Sequence, residues 1–140
     1  MKTRFTSLVK VKKNTMDKSE KVVQKANADL NSAAMALEIS YNSLQDIESP
    51  LQGTINELLA SRTLLSSSRE LIQHNQEWVK FAQNQVAQAK EKLKLDMIEH
   101  EKFKYLELQE IEKQLKEMKV KEMKDLDEIA LMTYARKGKK

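Results

Sequence analysis

The stretch LQDIESPLQGTINEL, Leu44 to Leu58, holds the chain's one proline and one of its two glycines, and its reading decides the fold. Pro50 lacks an amide donor, disfavours helical geometry in Ser49, and would cost about 3 kcal/mol inside a helix, with Gly53 adding about 1. Thr54 can cap a new helix, and Glu57 stands three residues later as its capping-box partner. Outward from this break, apolar residues recur in alternating steps of three and four. The beats fall on Val23, Ala26, Leu30, Ala33, Leu37, Ser40, Leu44, Ile47, Leu51, Thr54, Leu58, Ser61 and Leu65, and ten of these thirteen are apolar where a 40% hydrophobic composition gives about five. Such a seam zips helices together.

The spacing therefore predicts an all-α, antiparallel two-helix coiled-coil hairpin of elongated form, a single domain over residues 1–140. The first helix covers about 4–49, the turn 50–54, the second helix about 55–136, and a basic tail 137–140. Ser66, Ser67 and Ser68 are a second weak point and a possible kink, or a turn that makes 55–66 a short helix of its own. Phase favours continuity, because Leu65, Ile72, Val79, Ala82, Val86, Ala89 and Leu93 keep the register set before the turn. After Leu93 the apolar pattern slips to Leu108, Ile111, Leu115, Met118, Leu126 and Ile129, with Glu122 on the beat, as in a stutter. A hairpin centred on residues 51 and 52 pairs Phe5 with about Ile98 and leaves Glu99 to Lys140 as an overhang in want of a partner.

Composition agrees and excludes much. Charged residues make 33% of the chain and aromatics 5%, too little bulk for a compact core, while Glu, Lys, Gln, Leu and Ala dominate as in long helices. There is no cysteine, which removes disulfides, thiolate metal sites and a Cys nucleophile and fits a reducing compartment. Met1 to Asn14 lacks the apolar core of a signal peptide, and no stretch approaches a membrane span, so a cytoplasmic protein is expected. Charge is unevenly spread: residues 1–25 carry eight basic and two acidic side chains, 26–89 three and seven, and 90–140 fourteen and twelve. In a hairpin this makes a basic end where the termini meet and an acidic tip, so partners are distinguished by sign.

Catalytic chemistry is missing. His74 and His100 lie 26 residues apart and form no helical metal pair, and the two glycines cannot cradle a phosphate. No catalytic, cofactor or metal site is assigned and no enzyme is expected. Glu99, His100 and Glu101 point about 100° apart on a helix and read as a solvated face. The lysine-rich start (Lys2, Arg4, Lys10, Lys12, Lys13, Lys18, Lys21, Lys25) suits solvation, nucleic acid, an anionic membrane or an acidic protein groove. Phe5 and Leu8 beside the lysines favour the groove, since a docked helix needs apolar anchors. Trp78, Phe81, Phe103 and Tyr105 sit mostly off the seam as flank packing, with Tyr41, Leu64, Leu71 and Trp78 as the alternative of an exposed docking strip. Met97, Met118, Met123 and Met132 suit either core filling or an adaptable binding surface.

Two terminal stretches carry a resemblance. Phe5, Leu8, Lys10 and Val11 are similar to the opening pattern, and Glu122, Lys124, Leu126, Asp127, Glu128, Ile129, Ala130, Tyr134, Ala135 and Arg136 to the closing signature, of FliJ, the coiled-coil family of the bacterial flagellar type III export apparatus. The resemblance implies a fold similar to the γ stalk of rotary ATPases and a non-catalytic coupling factor. It also implies paired ends entering the hexameric export-ATPase ring, the hairpin side docking on the cytoplasmic domain of the export gate, and escort of export chaperones. Carried onto this chain, it makes Phe5, Leu8, Lys10, Lys12, Lys13, Leu126, Asp127, Glu128 and Arg136 ring-contact candidates, and Tyr41, Leu64 and Leu71 gate-contact candidates. It further implies a place in flagellum biogenesis, protein transport and chemotaxis, in the cytoplasm and peripherally at the inner cell membrane, at the flagellar basal body. The competing readings are a chaperone or scaffold of another secretion system, and a basic coiled coil that binds nucleic acid or membrane.

Overall fold

The computed structural model describes residues 2–47 and 53–138. Among them the chain is an all-α helical hairpin of two helices packed against each other, α1 (Thr6–Gln45) and α2 (Ile55–Gly138). At the start of α1 the Thr3 amide donates to Thr6 Oγ1 at 2.9 Å, and the Phe5 amide donates to Thr3 Oγ1 at 3.1 Å. This is a reciprocal cap with threonine in place of the usual Glu. α1 stops at Gln45, four residues short of the expected Ser49. Pro50 accounts for this, because a proline ring in a helix collides with the carbonyl four residues back, here that of Asp46. Of the expected turn, Pro50, Leu51 and Gln52 lie outside the described residues, as does Ser49.

α2 begins as its cap predicts. Glu57 N–H donates to Thr54 Oγ1 at 3.2 Å, and Leu58 N–H reaches the Thr54 carbonyl at 3.1 Å. Gly53 has no positive φ, and a Cβ there would meet the end of the exposed, flexible Glu57 side chain, which can move aside. Glu57 in the first turn and Arg136 and Lys137 in the last complement the helix dipole. Ser66, Ser67 and Ser68 are helical without interruption.

The chain divides into two compact units, Met16–Asp96 and Met1–Thr15 with Met97–Lys140. In the first, the buried residues of α1 are Ser19, Ala26, Ala33 and Ser40, one per heptad, and those of α2 include Ile72, Asn75, Ala82, Val86 and Ala89. Val23 and Leu30 pack on a cluster of Ala26, Val86 and Ala89. Small residues at one seam position of both helices let the backbones approach closely, while Val and Leu at the other cover the gap. Two polar layers interrupt the seam. Asn75 Nδ2 donates to Ser40 Oγ and, at 3.3 Å, to the Ala36 carbonyl, and Ser40 Oγ in turn donates to that carbonyl at 2.8 Å. Ser19 Oγ donates to Asp96 Oδ2, which also receives Lys92 Nζ at 3.2 Å. From Ser40 to Ser19 is the same number of steps as from Asn75 to Asp96, three heptads each, so the two layers fix one antiparallel register.

That register corrects the one centred on residues 51 and 52. In the second unit, Arg4 reaches Glu110 at 4.0 Å, and Lys12 reaches Glu99 at 3.7 Å, lying over the Phe103 ring with Nζ 5.5 Å from its centroid. Phe5 therefore does not pair with Ile98, and the open part of α2 starts at Leu115, not Glu99: every residue from Leu115 to Gly138 is exposed. Of the apolar beats expected after Leu93, Ile111 is half-buried and Leu108, Leu115, Met118, Leu126 and Ile129 are exposed. In the second unit the inward positions include buried His100 and half-buried Phe103, Leu106, Glu107, Glu110, Ile111 and Gln114. Polar side chains, two of them paired across the helices as Arg4 with Glu110 and Lys12 with Glu99, share those layers with Phe103, Leu106 and Ile111. Within Met16–Asp96, Gln45 comes level with about Glu70, so the first four turns of α2 project beyond the end of α1. A connection of nine residues, reaching at most about 30 Å, spans the roughly 22 Å this requires.

Candidate interaction surfaces

His100 is 8% exposed, so it does not belong to a solvated face; its Nδ1 lies 3.9 Å from the Glu101 carboxylate, and Glu99 points away to Lys12. No group of His, Asp and Glu among the described residues has the arrangement of a metal site. What the chain presents is surface, and two parts of it are unusually apolar.

The first is the end of α2. Leu126 and Ile129 are 65% and 59% exposed, and Leu115, Met118, Met123, Leu131, Met132 and Tyr134 are exposed beside them. Met118, Met123 and Met132 are thus surface residues, as is Met97. Asp127, Glu128 and Arg136 stand free in the same turns. At the other end of this unit, Phe5 is half-buried with the Arg4 guanidinium 4.9 Å from its ring centroid, Leu8, Lys10 and Lys13 are exposed, and Lys12 is held by Glu99 and Phe103. The structure does not bring the two sets of ring-contact candidates together. Arg4 is level with Glu110, and Leu126 lies a further 24 Å or so along α2. The expectation that both termini meet at one basic end fails for this reason: the register lets α2 run on alone.

The second surface lies in Met16–Asp96. Leu64, Leu71 and Trp78 are spaced by heptads, each one residue before a seam position, so they form a stripe along the flank of the seam. Leu64 and Leu71 are just over half exposed, and Trp78 lines a shallow groove with His74, Glu77 and Phe81. Phe81, more exposed than either leucine, is no flank-packing residue; nor is Tyr105, whereas Phe103 is half-buried beneath Lys12. Tyr41 is not part of this stripe. Its hydroxyl accepts from Gln76 Nε2 at 2.7 Å, and Gln76 precedes Trp78 by two residues, about 200° around the helix. Phe81, expected from the sequence to be flank packing, extends the stripe instead, and its signal is the step of three from Trp78, which repeats the seam's own spacing on the adjacent face.

A family model described as Flagellar FliJ protein matches residues 1–139. No curated protein and no solved structure matches the chain.

Proposed function

Because the chain belongs to the flagellar FliJ protein family and is thus a flagellar export component, we propose that it works without catalysis, as a stalk coupling the export-ATPase ring to the export gate. On this reading Leu126, Asp127, Glu128 and Arg136 on the open end of α2 enter the ring, and Leu8, Lys10 and Lys13 meet acidic groups at its mouth. Phe5 and Lys12, engaged within the chain, position that face. The Leu64 and Leu71 stripe, lengthened by Trp78 and Phe81, docks on the cytoplasmic domain of the gate, and Tyr41 serves a separate contact on the opposite flank. Chaperones of export substrates are escorted on the surfaces left over. No helix among the described residues is long and apolar enough to cross a membrane, so attachment at the flagellar base would be peripheral, through these partners.

The observation that carries the reading is the exposed apolar end of α2. A helix that leaves Leu126 and Ile129 in water gains nothing within its own chain, and an interface would recover that burial at about 25 cal/mol per Å². Rigid helices then transmit a change of state between two sites only if each partner binds one state better than the other. The test is stimulation of the purified export ATPase. Lys10→Glu with Lys13→Glu, and separately Leu126→Asp, should each abolish stimulation at unchanged helicity, whereas Leu64→Ser with Leu71→Ser should lose gate binding and keep stimulation. Full stimulation by the Leu126→Asp variant would remove the ring contact from the account.

A further inference from the structure

The open end of α2 sorts its charge in a way that a solitary helix does not need. Lys113, Lys116, Lys119, Lys121 and Lys124 face only Glu117 and Glu122 within residues 113–124, a balance of +3, and Asp125, Asp127 and Glu128 follow as a block of −3. Leu115, Met118, Leu126 and Ile129 meanwhile lie within about 60° of one line along the helix, with Glu122 in their midst, and all are exposed. An apolar line with charged flanks is the pattern of a coiled-coil seam. The charge blocks choose the direction: a parallel copy would set like charges side by side, whereas an antiparallel copy sets lysines against carboxylates.

We propose that this segment pairs antiparallel with the same segment of a second copy of the chain, with Glu122 at the two-fold axis. That register places Met118 opposite Leu126 and Leu115 opposite Ile129, so the apolar beats match across the axis. It also sets Lys121 beside Asp125 on one flank, while Lys116 and Asp127, roughly 120–140° from the seam, face away from it. The two Glu122 carboxylates face each other near the axis and weaken the pairing; the Lys119 of the opposite copy, about one turn away on the same side, offsets part of their repulsion. The result is a reversible dimer. It covers Leu126, so a copy paired in this way cannot also offer that residue to another partner. The inference stands on the charge blocks and the seam alone, and its test uses no export component.

The chain has no cysteine, so single cysteines report directly. In the full-length protein under mild oxidation, Glu122→Cys should cross-link to itself. Leu115→Cys and Ile129→Cys should not self-link, being about 21 Å from their own counterparts, but should link to each other when mixed. Without cysteines, sedimentation should show a salt-sensitive dimer that Glu122→Leu tightens about tenfold or more. Lys121→Glu should weaken it, and mixing that variant with Asp125→Lys should restore association. A monomer at every concentration up to about 100 μM at low salt overturns the proposal, and so does self-linking of Leu115→Cys, which would mean a parallel pair.

Discussion

Between Met16 and Asp96 the two helices close over alanine and serine, whereas beyond Leu115 a single helix carries leucine, isoleucine and methionine and covers none of them. Burial in the paired region leans toward small residues, with Ile72 and Val86 beside them, although in most proteins the larger aliphatic residues dominate the inside. Small residues bury little area, but they permit close approach, and the two hydrogen-bonded polar layers then admit one register and penalise its neighbours. Large residues left in water stabilise nothing within the chain and keep their transfer free energy for a partner. The paired region is therefore organised for specificity of alignment, and the open region for association.

The contrast can be broken most forcefully at Ala33, which has no solvent exposure and lies level with Ala82. Ala33→Leu should destabilise the hairpin by about 1–3 kcal/mol, because the added carbons have no space between closely spaced backbones; thermal unfolding followed by circular dichroism measures it. An unchanged melting temperature would mean that the helices are not in close contact there. Asn75→Ala should have a smaller effect, about 1 kcal/mol, since Ser40 keeps its bond to the Ala36 carbonyl. Its sharper consequence should be a loss of unique register, seen as a broadened distance distribution between labels on the two helices. Lys12→Ala should cost about 0.5–1 kcal/mol through the lost contact with Phe103, with less from the partly exposed ion pair to Glu99. Smallest of all, Leu126→Ser with Ile129→Ser should move stability by no more than about 0.5 kcal/mol, in the manner of surface substitutions. The same variant should lose self-association and ATPase stimulation. A large drop in its melting temperature would show that the end of α2 is covered within the chain after all.

Much of this arrangement is legible in the residues themselves. The step of three and four from Val23 to Leu93 names the seam, and among the described residues Ala26, Ala33, Ser40, Ile72, Ala82, Val86 and Ala89 are buried on it. Thr54 identifies the start of α2 through its side-chain oxygen. Register is harder to read, because a turn constrains pairing only when it is short. Nine residues between Gln45 and Ile55 allow the helices to slide by several turns, and polar pairs such as Ser40 with Asn75 decide where they stop. Hydrophobicity also misleads after Leu93. His100 and Glu110 look like surface residues, yet they occupy inward positions, whereas Leu108 and Leu115 lie outside. Of the candidate surfaces, Leu64 and Leu71 fall on one exposed stripe as heptad spacing suggests. Tyr41 does not, because neighbours across a helix pair depend on register and not on composition.

Register is also where the account is most directly tested. Spin labels on the full-length chain at Ala34 and Gln83, both exposed and on one flank of Met16–Asp96, should lie within about 20 Å of each other, two side chains across helices some 8–10 Å apart. A second pair, Ala34 and Arg69, should be longer by about 7–10 Å, the consequence of an axial offset near 18 Å. If instead Arg69 is the nearer partner, the helices pair about the proline after all, and the polar layers do not set the register.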